Sequence, residues 1–138
     1  ETRARQEQQI IDLKTQLDAE FVVLARYMQV LSNATCQVLQ KQAINIHHSF
    51  LPAFVGANPY KQAYEKGVKL IGATAHYVTA DLDQGPIIEQ DVERVSHDYN
   101  VEQLRELGED VERNVLARAV KWHLEDRIIV DGNKTVVF

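Results

Sequence analysis

The chain has 138 residues, of which 45% are hydrophobic and 25% are charged, as is usual for one soluble globular domain. Fifteen basic and 20 acidic side chains give a net charge of -5, which argues against nucleic-acid binding because that requires clustered lysine and arginine. No apolar run approaches the ~20 residues of a membrane span, and the single cysteine, Cys36, excludes an internal disulfide. We therefore expect a cytoplasmic protein that binds neither membranes nor nucleic acids, with Cys36 as a small buried apolar side chain.

The first third of the chain shows a helix, then strands separated by a short helix. Residues 5–18 carry apolar side chains three to four apart, which predicts an amphipathic helix. Residues 21–24 and 43–47 are short apolar runs of the kind found in strands buried on both faces, and a short helix is predicted after Ser32. The order strand, helix, strand predicts a parallel pair with a right-handed crossover.

The middle of the chain contains a short helix and two more strands. Asn58 is predicted to cap that helix with its side-chain amide, Pro59 to begin it and Gly67 to end it. Strand-like segments follow at residues 69–78 and 87–95, separated by an Asp-Gln-Gly-Pro turn.

The last third predicts the longest helix and a hairpin. Asn100, with Gln103 three residues later, is predicted to start the helix, and residues 127–130 and 135–138 are predicted to pair around a Gly132 turn. The apolar stripe of the helix has a near-ideal helical period: Leu104, Leu107, Val111, Val115, Ala119 and Trp122. The chain is predicted to form one α/β domain.

The beginning of the chain predicts that residues 1–138 are part of a longer protein. Glu1 stands where an initiator methionine would be expected. A strand buried on both faces normally has neighbours on both edges, and little sequence precedes residues 21–24. We therefore expect a sheet that is incomplete on its N-terminal side.

Asn45 and His47 are the first candidates for chemistry. They lie two residues apart on a predicted strand, so their side chains point to the same side, near the strand end where open parallel sheets bind ligands. An amide donor beside an imidazole is suited to holding an oxygen that becomes negative when a carbonyl is attacked. Spacing alone leaves open the alternative that both side chains hydrogen-bond nearby backbone.

Asp83 is the second candidate, because a carboxylate near His47 would deprotonate an attacking water or favour a charged imidazole. Its position just before Gly85 leaves open a simple turn-capping role. A zinc site built from His47, His48, His76 and Asp83 is disfavoured, since adjacent strand residues point to opposite faces and no H-E-x-x-H motif is present.

Other motifs and side chains are assigned no function. His97 and His123 are predicted to lie near helix surfaces or ends, in solvent. Neither a glycine-rich nucleotide-binding motif nor a G-x-S-x-G nucleophile elbow occurs, so neither nucleotide binding nor serine-hydrolase chemistry is indicated.

Two motifs about thirty residues apart carry a family resemblance. Residues 44–52, INIHHSFLP, resemble the N-x-H-P-S-L-L-P signature of the 10-formyltetrahydrofolate-dependent formyltransferases. Residues 76–87, HYVTADLDQGPI, resemble the second signature of that family, H-x-V-x-x-x-x-D-x-G-P-I. His48 and Phe50 depart from the proline and leucine of the transferases and resemble the hydrolytic branch, the formyltetrahydrofolate deformylases, whose similarity extends over nearly the whole chain.

The resemblance implies a fold and a place within a larger protein. The implied fold is formyltransferase-like (Rossmann-like): a mostly parallel sheet flanked by helices, with a long C-terminal helix and a β-hairpin. Residues 1–138 would be the C-terminal part of the catalytic domain, and the first strands and an N-terminal regulatory domain of the ACT type would be absent. A homo-oligomer is expected.

The resemblance also implies a reaction, the hydrolysis of 10-formyltetrahydrofolate to formate and tetrahydrofolate, with formate supplied to one-carbon metabolism and purine biosynthesis. Asn45 and protonated His47 would stabilise the oxyanion, and Asp83 would activate the water. No cofactor or metal is expected, since the folate is the substrate. The residues implied in substrate binding are Met28, Gln29, Leu31, Thr79, Ala80 and Asp81, with His76 in support.

Two alternatives to hydrolysis remain open from the sequence. One is a formyltransferase of the same family, which moves the formyl group to an amine. The other is a catalytically silent fragment that binds folate or self-associates.

Overall fold

Four helices and six strands follow one another along the residues that the structure, a computed structural model, describes: 2–27, 29–48, 58–81 and 84–138. In chain order these elements are α1 (Arg3–Gln16), β1 (Val22–Ala25), α2 (Asn33–Val38), β2 (Ala43–His47), α3 (Pro59–Lys66), β3 (Leu70–Tyr77), β4 (Ile87–Arg94), α4 (Val101–Leu124), β5 (Ile128–Asp131) and β6 (Lys134–Val137). The predicted α/β class, long helix and terminal hairpin are confirmed. None of the helices within the described ranges is long and apolar enough to cross a bilayer.

The six strands form one sheet in the order β1-β2-β3-β4-β6-β5. The predicted parallel pairing of β1 with β2 is confirmed, and β4 is parallel to β6. Among the described residues the other three pairs are antiparallel, so the sheet is mixed and the expectation of a mostly parallel sheet is wrong in this respect. Two of those pairs, β3 with β4 and β5 with β6, are joined by turns that are too short for the crossover a parallel pair requires.

The first two strands differ in burial. All five residues of β2 are buried, as predicted. β1 was predicted to be buried on both faces, which is wrong: Leu24 is its one buried residue, and Val23 is 38% exposed. β1 lies at an edge of the described sheet, and an apolar run indicates a preference for burial without specifying the position of its strand.

Helix α4 covers the central strands and forms the main core. Its N-terminal capping box is confirmed: the Gln103 backbone N–H donates to Asn100 Oδ1 at 2.8 Å, and the Asn100 N–H donates to Gln103 Oε1 at 2.9 Å. Its predicted stripe faces the sheet, with Trp122 packed at the margin of the core. The buried residues that join α4 to β2, β3 and β4 include Ile44, Ile46, Ala73, Ala75, Ile88, Val111, Val115 and Ala119.

The end of α4 corrects one prediction. His123, predicted to be solvated, packs its ring 4.8 Å from that of Phe21 and shares a 2.8 Å hydrogen bond with the Tyr77 hydroxyl. It lies four residues after Ala119 and therefore on the inner side of the helix. His97 is exposed, as predicted.

The predicted ends of the short helices are confirmed in part. The Ser32 side chain caps α2 by accepting from the Thr35 N–H, and Gly67 ends α3 in the left-handed conformation at φ 65°. Pro59 begins α3 as predicted, but Asn58 makes no side-chain capping bond, so that prediction is wrong. Asn58 has a left-handed backbone, with φ 59°, whereas a capping side chain requires an extended one.

Helix α1 is fastened to the start of α2 by Glu7, which is 3% exposed. Its carboxylate accepts from the Ser32 hydroxyl and N–H, from the Thr35 hydroxyl at 2.6 Å and from Arg3 Nε at 3.1 Å. Burial raises the pKa of Glu7, but these donors outweigh it and bring the pKa to about 2. The prediction that Cys36 is buried is confirmed, and burial and the Glu7 charge raise the pKa of its thiol.

Candidate active site

A small cavity lies where β1 and β2 end, at the edge of the sheet predicted to bind a ligand. Its volume is about 20 Å³, room for about one water molecule. It brings together residues from three segments: Leu24, Tyr27, Gln29, Val30, Leu31, Asn45, His76, Val78, Thr79 and Asp81.

Asn45 and His76 form the polar pair of this cavity. They are cross-strand partners between β2 and β3, and Asn45 Nδ2 lies 3.4 Å from His76 Nε2. His76 Nδ1 lies 2.9 Å from the Tyr77 carbonyl oxygen, which only accepts hydrogen bonds. This network assigns the ring proton to Nδ1, so Nε2 accepts from the Asn45 amide and fixes its orientation.

The Asn45 amide keeps hydrogen-bonding capacity beyond the bond to His76. Its Oδ1 is buried and has no hydrogen-bond partner among the described residues, and the same is true of Tyr27 Oη. A buried polar atom without a partner costs about 1–3 kcal/mol, so such atoms mark places where a ligand or water supplies the missing bond. The amide nitrogen also has a second N–H. The cavity is therefore equipped to bind a polar group.

His47 is the last residue of β2 and is buried, two residues beyond Asn45 on the same strand. Its ring stacks on that of His48, with the ring centroids 5.4 Å apart and the planes inclined by 19°. The prediction that these two side chains point to opposite faces is wrong, because β2 ends at His47 and strand alternation does not extend to His48. Within the described part of the chain, no three His, Cys, Asp or Glu side chains form a group that could hold a metal ion.

Gly85, in the second motif, packs closely against Tyr77 and His76 at the end of β3. A Cβ atom at this position would lie 1.6 Å from the Tyr77 carbonyl oxygen and 3.2 Å from His76 Nδ1. Only glycine permits this approach, which places the segment that begins at Gln84 against the end of β3. Asp83, the predicted base, lies outside the described residues.

The predicted substrate-binding residues mostly converge. Gln29, Leu31, His76, Thr79 and Asp81 line the cavity, whereas Met28 lies outside the described residues. Leu24, Tyr27 and Val78 also line the cavity without being among the predicted residues, although each is near a predicted residue in the chain.

Ala80 is not among the residues that line this cavity. It lines a neighbouring groove of about 410 Å³, together with residues of α2, of the turn after α2 and of the 78–80 segment: Asn33, Cys36, Gln37, Gln40, Val78 and Thr79. A volume of this size is within the range of small-molecule sites.

The chain is similar to known proteins of one family. The family described as Formyl transferase matches residues 1–120. The formyltetrahydrofolate deformylase of Bacillus subtilis strain 168 is 63% identical over 136 residues, which are 99% of this chain and 45% of that protein. The chain spans about half the length of the curated relatives that it matches.

Solved structures show the same fold. The crystal structure of formyltetrahydrofolate deformylase from Burkholderia mallei ATCC 23344 has a TM-score of 0.91 at 60% identity, over 100% of this chain and 49% of that one. Glycinamide ribonucleotide transformylase 1 from Symbiobacterium toebii has a TM-score of 0.89 at 31% identity, over 99% of this chain and 65% of that one. These similarities confirm the formyltransferase-like fold.

Proposed function

This chain belongs to the formyl transferase family, and from that premise we propose that the protein containing it hydrolyses 10-formyltetrahydrofolate to formate and tetrahydrofolate. The observation that carries the proposal is the Asn45 amide, which is oriented by His76 and presents at the cavity a second N–H and an Oδ1 that has no hydrogen-bond partner among the described residues. The high identity to proteins named formyltetrahydrofolate deformylase supports hydrolysis over transfer.

The proposed mechanism assigns one task to each of three residues. Water adds to the formyl carbon, and the resulting oxyanion is held by the second N–H of Asn45 and by protonated His47. One donor of this kind is worth about 100- to 1,000-fold in rate. Asp83 takes the proton of the water, which is worth about 100- to 10,000-fold. The carbon–nitrogen bond then breaks as Asp83 passes this proton to the departing folate nitrogen, and the formic acid that is released ionises to formate.

The pterin ring is proposed to bind at the cavity, where Gln29, Leu31, Thr79 and Asp81 surround the polar pair. Met28 and Ala80 are proposed to contribute from the same two segments, and His76 to support Asn45. A pterin is larger than about 20 Å³, so the segment with the exposed Gln29 side chain is proposed to move outward when the substrate binds.

The remaining expectations stand as parts of this proposal. The folate is the substrate and no cofactor is required. We place the protein in the cytoplasm, as a homo-oligomer, with its formate available to one-carbon metabolism and purine biosynthesis. Residues 1–138 are proposed to be one part of the catalytic domain of a longer enzyme, since they span about half the length of the relatives.

The experiment is to incubate the protein that contains this chain with 10-formyltetrahydrofolate, with and without glycinamide ribonucleotide as the amine acceptor. A hydrolase releases formate at the same rate in both samples. The second candidate, a formyltransferase, is favoured by the similarity to the Symbiobacterium toebii transformylase, and it consumes the folate only with the amine. Folate binding without turnover in either sample identifies a catalytically silent protein.

A further inference from the structure

A buried carboxylate behind the site has no task in the mechanism above. Glu112 of α4 is 8% exposed. Its Oε1 accepts a 3.1 Å hydrogen bond from the Tyr60 hydroxyl, and its Oε2 accepts one from Arg26 Nη2 at 3.2 Å. His48 Nδ1 lies 4.0 Å from Oε1. Glu112 therefore contacts three segments that are far apart in the chain.

Two of these segments belong to the active site. Arg26 directly follows β1 and begins the segment that carries Tyr27 and Gln29 into the cavity. His48 directly follows His47 at the end of β2. Glu112 thus links the ends of both strands to α4, which packs on the sheet.

Arg26 forms the outer end of this link, with its side chain 48% exposed. Its φ of 57° lies in the left-handed region, which is uncommon for residues other than glycine. Arg26 pairs with Glu112 and also with Glu109, one helical turn earlier on α4. Burial lowers the pKa of Arg26, but the two carboxylates outweigh it and raise the pKa, so the guanidinium stays charged.

The Tyr60 hydroxyl reaches Glu112 because α4 has a glycine at position 108. A Cβ atom there would lie 2.1 Å from Tyr60 Oη and 2.3 Å from its Cε1. The phenol is 6% exposed, and burial, followed by the Glu112 charge, raises its pKa. Tyr60 therefore remains a hydrogen-bond donor, and its bond holds Oε1 on the side that faces His48.

The His48 ring connects this carboxylate to the active site. The His48 side chain is 11% exposed; its Nδ1 lies 4.0 Å from Glu112 Oε1, and its ring stacks on the ring of His47. We propose that Glu112 is a positioning residue: it holds the His48 ring, and the stacked His48 ring sets the plane of the His47 imidazole. This inference rests on the proposed function, because it gives Glu112 a task in the same reaction.

The test compares kcat and KM for formate release in the protein that contains this chain and in three variants. Glu112→Gln keeps the size of the side chain and removes its charge. Glu109→Gln is the matched control, since it makes the same change on the same helix, at the outer partner of Arg26. Tyr60→Phe removes one hydrogen-bond donor to Glu112 and leaves the ion pairs of Arg26 with Glu112 and with Glu109 in place.

We expect Glu112→Gln to lower kcat by about 10- to 100-fold with KM changed by less than about threefold, because misplacing a catalytic group slows the reaction more than it weakens binding. Tyr60→Phe should lower kcat in the same direction by a smaller factor. Glu109→Gln should stay within about twofold of wild type, as expected of an exposed ion pair.

A second readout does not depend on turnover. The imidazole proton signals of His47, recorded by NMR at one pH, should shift in Glu112→Gln and stay in place in Glu109→Gln. Unchanged His47 signals, or a kcat within about twofold of wild type in Glu112→Gln, overturn the inference. Absence of turnover in the wild-type protein overturns the proposed function instead, and the NMR signals then decide the inference alone. If Glu112→Gln does not fold, Tyr60→Phe decides it with the same two readouts.

Discussion

Replacing Glu7 with glutamine tests whether a buried carboxylate fastens α1 to the segment that enters the cavity. Glutamine keeps the shape of the side chain but loses the charge. Its NH₂ group would face donors where Glu7 now accepts from Ser32, Thr35 and Arg3. We expect a destabilised chain at neutral pH.

The magnitude follows from the pKa of Glu7, which falls from 4.5 to about 2 in the folded chain. Each pKa unit of difference between the folded and unfolded states corresponds to about 1.36 kcal/mol, so the charged carboxylate contributes about 3 kcal/mol. Because the folded pKa is depressed, this contribution is complete above pH 4.5 and is lost as the pH falls towards about 2.

Urea unfolding of the 138-residue chain, followed by the fluorescence of its one tryptophan, measures the difference at several pH values. At pH 7, Glu7→Gln should unfold with about 3 kcal/mol less free energy than wild type, and near pH 2 the two should coincide. The control is Asp12→Asn, an exposed acid on the same helix, which should change the free energy by less than about 0.5 kcal/mol. A Glu7→Gln difference below about 1 kcal/mol at pH 7, or one that does not change with pH, refutes the reasoning.

Three further predictions concern packing, metals and assembly. Gly108→Ala should lower the thermal unfolding midpoint, because overpacking against Tyr60 costs about 1–3 kcal/mol and exceeds the ~1 kcal/mol that alanine gains in a helix; an unchanged or higher midpoint contradicts this. Formate release should survive exhaustive chelation, because Asn45, His47 and Asp83 are proposed to supply both the oxyanion donors and the base; loss of activity that only zinc or iron restores contradicts it. The chain should self-associate in sedimentation experiments at high concentration, because edge strands β1 and β5 expose Val23 and Ile129. Sedimentation as a compact monomer at that concentration contradicts this prediction.

Local signals in the sequence predicted the elements well. The Asn100 and Gln103 capping box, the left-handed Gly67 and the Gly132 hairpin turn depend on residues a few positions apart, and the structure confirms all three. Such features can be predicted from the sequence because the interacting groups are neighbours in the chain. The prediction that Gln29, Leu31, Thr79 and Asp81 line one site came from the family resemblance rather than from their spacing in the sequence.

Features that depend on the tertiary arrangement could not be predicted from the sequence. The Glu112 network joins residues 26, 48, 60 and 112, and no pattern within one element brings them together. The edge position of β1 and the mixed strand directions depend on which strands pair, which hydrophobic runs do not specify. The stacking of His47 on His48 arises at a strand end, where alternation no longer determines side-chain direction.

The most direct test of the proposed mechanism is steady-state formate release by Asp83→Asn, measured beside folate affinity in the protein that contains this chain. Asparagine keeps the size of aspartate but cannot take a proton, so kcat should fall by at least about 100-fold. Folate affinity should stay within about threefold, because the change removes a base and not a pterin contact. If Asp83 only caps a turn, the change costs about 1 kcal/mol of stability and leaves the rate nearly intact. Turnover above about a tenth of wild type in Asp83→Asn contradicts the proposed role of this residue.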